Sequence, residues 1–280
     1  MCEDPLTLQG IVFRPRFSMP HIPETSDKDF AGDAGSVYYM GWSSRGRFLF
    51  KSVQSAVQQG RAVSSILRVI LLRPLQFAYH RVHKTEFSLG GERYRYYCGK
   101  IDAMDSERIV ELAVALRFLD ARRGLSLLEV GNVISTYLPA IPHTIVDKYE
   151  RGGGILNVDI VDFLPPFRFA TIISISTLEH VGFDEPIREP GKAARALDNL
   201  EHLLEDNGKM LVTVPLGYNP EIDSLVKRAD EKGWRVLFMR RVDSILDLWK
   251  ETSLDEALTK PYGSEFRFAN SLAFLFVTRD

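Results

Sequence analysis

Hydrophobic positions in the second half of the chain follow two alternating periods. Short apolar runs are typical of buried strands, and between them apolar residues recur every three or four positions, as in amphipathic helices. The apolar runs predict strands at 126–130, 144–146, 155–161, 171–176, 210–214, 235–238 and 272–278. The helical pattern covers 105–124, 192–205 and 220–232. This alternation predicts an α/β, doubly wound, mostly parallel sheet, and two last strands without an obvious crossover helix indicate an antiparallel edge.

The first 104 residues have a different pattern. Residues 1–35 are rich in Pro, Asp, Ser and Gly and read as an arm, whereas 48–78 has helical periodicity that Gly60 divides into two helices. Alternating residues on both sides of Gly90 and Gly91 predict a hairpin. We therefore expect an N-terminal helical and hairpin extension over 1–104, on the acceptor side, and a Rossmann-like domain over 105–280.

Composition narrows the class of protein only slightly. With 280 residues, 45% hydrophobic and 26% charged, the chain has the composition of a globular protein. Two cysteines offer no disulfide framework and no metal spacing. The start has no signal-peptide pattern, and Arg68, Arg73 and Pro74 interrupt the most apolar stretch, 63–78. We expect a cytoplasmic protein without a metal.

Charge is distributed unevenly, because no acidic residue lies between Asp33 and Glu86. The basic residues of 45–84 permit contact with an anionic membrane surface or a phosphate-bearing acceptor. The simpler alternative is that these basic residues form the solvated face of two helices that cover the site. No recognition motif supports a nucleic-acid partner.

The strongest candidate chemistry lies where two predicted strands end. The first strand runs into Gly131, and the second ends at Asp147. Strand, glycine turn, short helix and acid-tipped strand form the nucleotide half-site of a doubly wound sheet, where the glycine allows close backbone approach and the acid accepts hydrogen bonds from ribose hydroxyls. The alternative is a buried strand and turn without a ligand.

Several further motifs follow in order. They are Leu127-Leu-Glu-Val-Gly131, Asp159-Ile160, Ile173-Ser-Ile-Ser-Thr-Leu-Glu-His-Val181 and Leu203-Leu-Glu-Asp-Asn-Gly-Lys-Met-Leu-Val-Thr-Val214. With Asp147, this ordered set resembles class I S-adenosylmethionine-dependent methyltransferases over residues 105–280. It looks most like a poorly characterised branch that is often linked with cell-surface polysaccharide synthesis.

The resemblance implies a seven-stranded sheet of order 3-2-1-4-5-7-6 and S-adenosyl-L-methionine as cofactor. It implies that the cofactor is bound by Glu129, Gly131, Asn132, Asp147, Lys148, Asp159, Ile160, Ser176 and Thr177. His180 is expected to be the general base, and Tyr218 and Asn219 to contact the acceptor. The chain departs from the family pattern at Val133, where a second glycine usually leaves room for the methionine part of the cofactor.

Each of these residues also has a local structural interpretation: a buried strand acid for Glu129, a helix-start histidine for His180, and a turn before Pro220 for Tyr218 and Asn219. The expected function is methyl transfer to oxygen or nitrogen of a small or glycan-type acceptor. The alternative is a non-catalytic binding or scaffold protein that has lost the cofactor, as Val133 allows. A nicotinamide-dependent enzyme is disfavoured, because the missing glycines are those that a pyrophosphate requires.

Overall fold

The computed structural model describes residues 68–138 and 141–279. Its strands are β1 (Glu86–Leu89), β2 (Glu92–Arg95), β3 (Leu127–Val130), β4 (Thr144–Val146), β5 (Ile155–Leu156), β6 (Phe169–Ile175), β7 (Leu204–Pro215), β8 (Arg235–Asp243), β9 (Leu248–Thr252) and β10 (Ser271–Thr278). Its α-helices are α1 (Arg73–His83), α2 (Arg108–Asp120), α3 (Ile134–Tyr137), α4 (Lys192–Leu203), α5 (Pro220–Lys227) and α6 (Leu254–Ala257). The predicted arm and the helical pattern of 48–67 lie outside the described residues.

One sheet organises the molecule, with strand order β5-β4-β3-β6-β7-β10-β8-β9. Its first five strands are parallel, and β10 runs antiparallel between β7 and β8. The seven predicted strands therefore occur in the predicted order, and the doubly wound α/β fold is confirmed. Strand order reverses between β3 and β6, which is where open sheets of this kind bind ligands.

The predicted strand count of seven is wrong, because β9 pairs antiparallel with β8 at the sheet edge and makes eight. Of its five residues only Trp249 is buried, so the segment lacks a clear apolar period. The strand predicted at 155–161 is also too long. It ends at Leu156, since the Asp159 side chain accepts a hydrogen bond from the Val161 amide and starts a 3-10 turn there.

Side chains on the two faces of the sheet pack into two separate hydrophobic cores. Along β6, Ile172 packs with α4 and α5, whereas Ile173 packs on the opposite face with α2, as the period of two requires. The predicted hairpin is present as β1 and β2, and its Phe87 and Leu89 belong to the same core as α2. The domain boundary at 104 stays a prediction.

Residues 68–83 of the N-terminal extension are helical. A π-helical turn at Arg68–Leu72 leads into α1, which lies against the β8–β9 turn through a hydrogen bond from the Gln76 side chain to the Ser244 carbonyl. Within 68–138 and 141–279, no helix has the length and apolar character needed to cross a bilayer.

Candidate active site

A cavity of about 270 Å³ opens at the carboxyl ends of β3, β4 and β6. Of the predicted site residues, it is lined by Gly131, Asn132, Asp147, Lys148, Asp159, Ile160, Ser176, Thr177 and His180. Glu129, Tyr218 and Asn219 lie outside its lining. The volume is close to the lower end of the roughly 300–1,000 Å³ that ligand pockets occupy.

The turn after β3 requires a glycine. Gly131 has a φ of +81°, and a Cβ atom added to it would stand 2.3 Å from the Oγ1 atom of Thr177. The Gly131 amide donates a 2.9 Å hydrogen bond to the Val146 carbonyl at the end of β4. The backbones at the ends of β3, β4 and β6 are thereby brought together.

A buried ion pair fixes this turn from below. On β3, Glu129 accepts a hydrogen bond from the Ile134 amide through Oε1, and its Oε2 lies 2.6 Å from Nε2 of His143. The other ring nitrogen lies 2.6 Å from the Ile141 carbonyl, so both nitrogens face acceptors and both need a proton. Burial lowers the pKa of His143, but the hydrogen bond and charge of Glu129 raise it more, and the net pKa lies above the usual value.

Acceptor oxygens face the cavity on the β4 side. The Oδ1 atom of Asp147 accepts hydrogen bonds from the backbone amides of Tyr149 (2.8 Å) and Glu150 (2.7 Å). The other carboxylate oxygen of Asp147 has no partner among the described residues. The side-chain amide of Asn132 donates to Glu150 at 2.7 Å, which leaves the buried Oδ1 of Asn132 without a partner there. Burial raises the pKa of Glu150. This edge of the cavity therefore suits a ligand rich in donors.

Two lysines and two acids form an ionic network at the cavity rim. Lys148 and Lys192 each contact Asp159, at 2.9 and 2.7 Å, and each contacts Glu185 at 2.9 and 2.7 Å. Burial raises the pKa of Asp159, but hydrogen bonds from the two lysines lower it more, so the carboxylate stays charged. With its other oxygen on the Val161 amide, Asp159 has both oxygens engaged.

The end of β6 is held by a second buried acid. Ser176 has a φ of +40°, an unfavourable conformation for a residue with a side chain. Its hydroxyl donates a 2.5 Å hydrogen bond to Glu111 Oε1, which also receives the Thr213 hydroxyl at 2.7 Å. The other carboxylate oxygen of Glu111 pairs with Arg108, whose side chain lines the cavity.

His180 lies at the mouth of the cavity in a small polar relay. Its Nδ1 contacts Oδ2 of Asp184, and the same oxygen receives the Tyr218 hydroxyl at 2.6 Å. With Nδ1–H donating to Asp184, Nε2 is the ring nitrogen that can accept a proton. Tyr218 is linked to His180 through Asp184, and the two rings are also in edge-on contact with centroids 5.2 Å apart. Asn219 caps α5 through the Glu221 amide and donates to the Glu179 carbonyl.

Val133, the departure from the family pattern, lines the cavity and packs on the same core as α2. Several lining residues were not predicted: Arg108, Thr136, Tyr137, Glu150, Val158, Val181 and Glu185. Only Glu150 carried a signal, an acid three positions after Asp147. Val158 and Val181 are neighbours of the predicted Asp159 and His180, whereas Arg108 and Glu185 come from separate elements, so the sequence spacing of these last two is uninformative.

Comparison with known proteins found distant structural similarity only. No protein-family model and no curated protein matches the chain. Among solved structures it is similar to the N-methyltransferase NodS from Bradyrhizobium japonicum WM9 in complex with S-adenosyl-L-homocysteine, at 14% identity and a TM-score of 0.39, over 64% of this chain and 90% of that one. It is also similar to magnesium protoporphyrin IX methyltransferase from Synechocystis PCC 6803 with bound SAM, at 12% identity and a TM-score of 0.37, over 61% and 78%.

Proposed function

We propose that the chain is an S-adenosylmethionine-dependent methyltransferase that acts on oxygen or nitrogen of a small or glycan-type acceptor. The observation that carries the proposal is the cavity at the β3–β6 switch point, whose lining includes the glycine turn, the acid after β4 and the histidine after β6. The glycan-type acceptor rests on the sequence resemblance alone.

The donor and acceptor chemistry of the cavity fits the cofactor. The unpartnered Asn132 Oδ1 and the second oxygen of Asp147 are acceptors, and the cofactor presents ribose hydroxyls and an ammonium group as donors. In this proposal Asp147 holds the ribose, and Asn132 holds a neighbouring donor. Gly131 keeps the floor of the site free of a side chain.

When bound, the cofactor supplies an electrophilic methyl group on a sulfonium centre. With Asp147 and Asn132 holding it, the cofactor would supply this methyl group to an acceptor oxygen or nitrogen, and the electron pair of the carbon–sulfur bond would stay on sulfur. His180 takes the proton released by the acceptor on Nε2, and Asp184 holds its Nδ1–H and stabilises the imidazolium. The protein's main contribution is alignment, which supplies about 7–11 kcal/mol in well-oriented reactions.

A non-catalytic binding protein is the second candidate, and Asp159 favours it. The resemblance implies that this acid binds the cofactor, yet both of its oxygens are engaged by Lys148, Lys192 and the Val161 amide. Asp159 therefore has no free oxygen for a nucleoside, and the Val133 side chain in the lining reduces the space for one.

Calorimetric titration of the full chain with S-adenosylmethionine separates the two candidates. Asp147→Ala should lower affinity at least about tenfold, because two hydrogen bonds to a charged acceptor are lost, each worth about 1.5–3 kcal/mol. Asp147→Asn keeps an oxygen for the Tyr149 and Glu150 amides and isolates the effect of charge. The exposed Asp162→Ala is the matched control. No binding by the parent chain, or equal binding by all variants, would refute the proposal.

A further inference from the structure

Arg108, the first residue of α2, presents a fixed cation to the cavity. Its Nη1 pairs with Oε2 of Glu111, and Glu111 is itself held through Oε1 by the hydroxyls of Ser176 and Thr213. Among the described residues, Glu111 is the only hydrogen-bond or ion-pair partner of the Arg108 guanidinium, whereas the Arg108 backbone amide donates to the Ser106 hydroxyl. The side chain is 22% exposed, so most of it is packed and its direction is set.

The surrounding charges leave this guanidinium ionised. Burial lowers the pKa of Arg108, but the charges of Glu111 and Glu107 raise it more. Burial also raises the pKa of Glu107 and of Glu179. Lys148, the other lysine or arginine in the described lining, already pairs with two carboxylates. Of the lysine and arginine side chains in the described lining, Arg108 is therefore the one with N–H donors that no protein carboxylate uses.

Its place in the sheet separates it from the ribose acid. Through Glu111, Arg108 is tied to Ser176 at the end of β6, whereas Asp147 follows β4, and β3 with Gly131 lies between them. Two strand spacings amount to about 10 Å. If the ribose of a nucleoside cofactor lies at Asp147 and its amino-acid part crosses the glycine turn, the end of that amino-acid part would lie near Arg108.

A guanidinium has five N–H donors in a planar fork that matches a carboxylate, and Glu111 occupies one nitrogen of it. We propose that Arg108 binds the α-carboxylate of the amino-acid part of S-adenosylmethionine. This rests on the proposed function, since it assigns one end of the same cofactor. The Ser176 and Thr213 hydroxyls draw charge from Glu111 and leave the arginine free to attract a second carboxylate.

The test compares two ligands that differ in the carboxylate only: S-adenosylmethionine and its decarboxylated form. The parent chain should bind the first about 10- to 100-fold more tightly, as expected for hydrogen bonds between charged partners. In Arg108→Lys, which keeps a cation beside Glu111 but lacks the fork, the ratio should shrink. Calorimetry of full-length protein measures both affinities without turnover.

A second variant combines Arg108→Met with Glu111→Gln. It leaves no buried carboxylate without a partner, so the protein should still fold. In this variant the two ligands should bind equally. Arg117→Gln, on the same helix but paired with Glu92 outside the cavity, is the control and should keep the parent ratio.

The outcomes separate the two proposals. A parent chain that binds both ligands equally, or Arg108 variants that lose affinity for both to the same extent, would overturn the carboxylate assignment and leave the cofactor proposal standing. A parent chain that binds neither ligand would overturn both.

Discussion

Replacing His143 with alanine should destabilise the protein strongly and in a pH-dependent way. The side chains of His143 and Glu129 are both almost fully buried, and the carboxylate would keep only the Ile134 amide as partner. Breaking a buried ion pair by removing one member costs about 3–5 kcal/mol, because an uncompensated charge stays in the interior. Urea denaturation at fixed pH measures the loss, provided that the slope against denaturant is unchanged.

The sign of the pH dependence follows from the raised pKa of His143 in the folded chain. Such a group contributes its full stabilisation below its unfolded pKa, near 6.5, and loses it as pH rises through the higher folded value. The gap between parent and His143→Ala should therefore be widest in mildly acidic solution and narrow at alkaline pH.

A double variant separates charge from packing. Adding Glu129→Gln to His143→Ala removes the orphaned carboxylate, so it should recover part of the lost stability, and the two changes should be non-additive. A gap between parent and His143→Ala that is constant with pH, or a double variant that is the sum of its single changes, would show that His143 acts through packing alone.

Two further predictions concern the cavity. His180→Gln should lower turnover about 10²- to 10⁴-fold and leave cofactor affinity unchanged. Asp184→Asn should lower turnover less. A normal turnover rate in His180→Gln would exclude His180 as the base. Gly131→Ala should be about 1–3 kcal/mol more destabilising than Gly124→Ala in denaturant unfolding. Both glycines have φ near +80°, but only Gly131 would bring a methyl group against Thr177, so equal losses would contradict the contact.

The sequence predicted those parts of the fold that depend on local pattern. The strands β3, β4 and β6 are short, mostly apolar runs, and Gly131 and Asp147 follow directly after β3 and β4. Because the carboxyl ends of neighbouring parallel strands meet, residues found one strand at a time converge on one cavity. The exception, β9, has one buried residue and no period to detect.

Partnerships across long separations could not be predicted. The resemblance implies that Glu129 binds the cofactor, yet its oxygens engage Ile134 and His143, and its role toward the cofactor stays a prediction. Asp159 finds Lys192 only because α4 packs beside the 3-10 turn that Asp159 starts. Such pairs are set by the arrangement of elements, which a sequence pattern does not encode.

The polar groups beneath the cavity differ from those at its mouth in how firmly they are held. Glu129 and Glu111 are buried and fully partnered at the ends of β3 and β6, so the cofactor side is preorganised and binding there requires little ordering. His180 and Asp184 are partly exposed, and a single oxygen of Asp184 contacts both His180 and the Tyr218 hydroxyl. Substitutions under the strand ends should therefore change stability and cofactor affinity together. Substitutions at the mouth should change turnover and acceptor choice while leaving the fold intact.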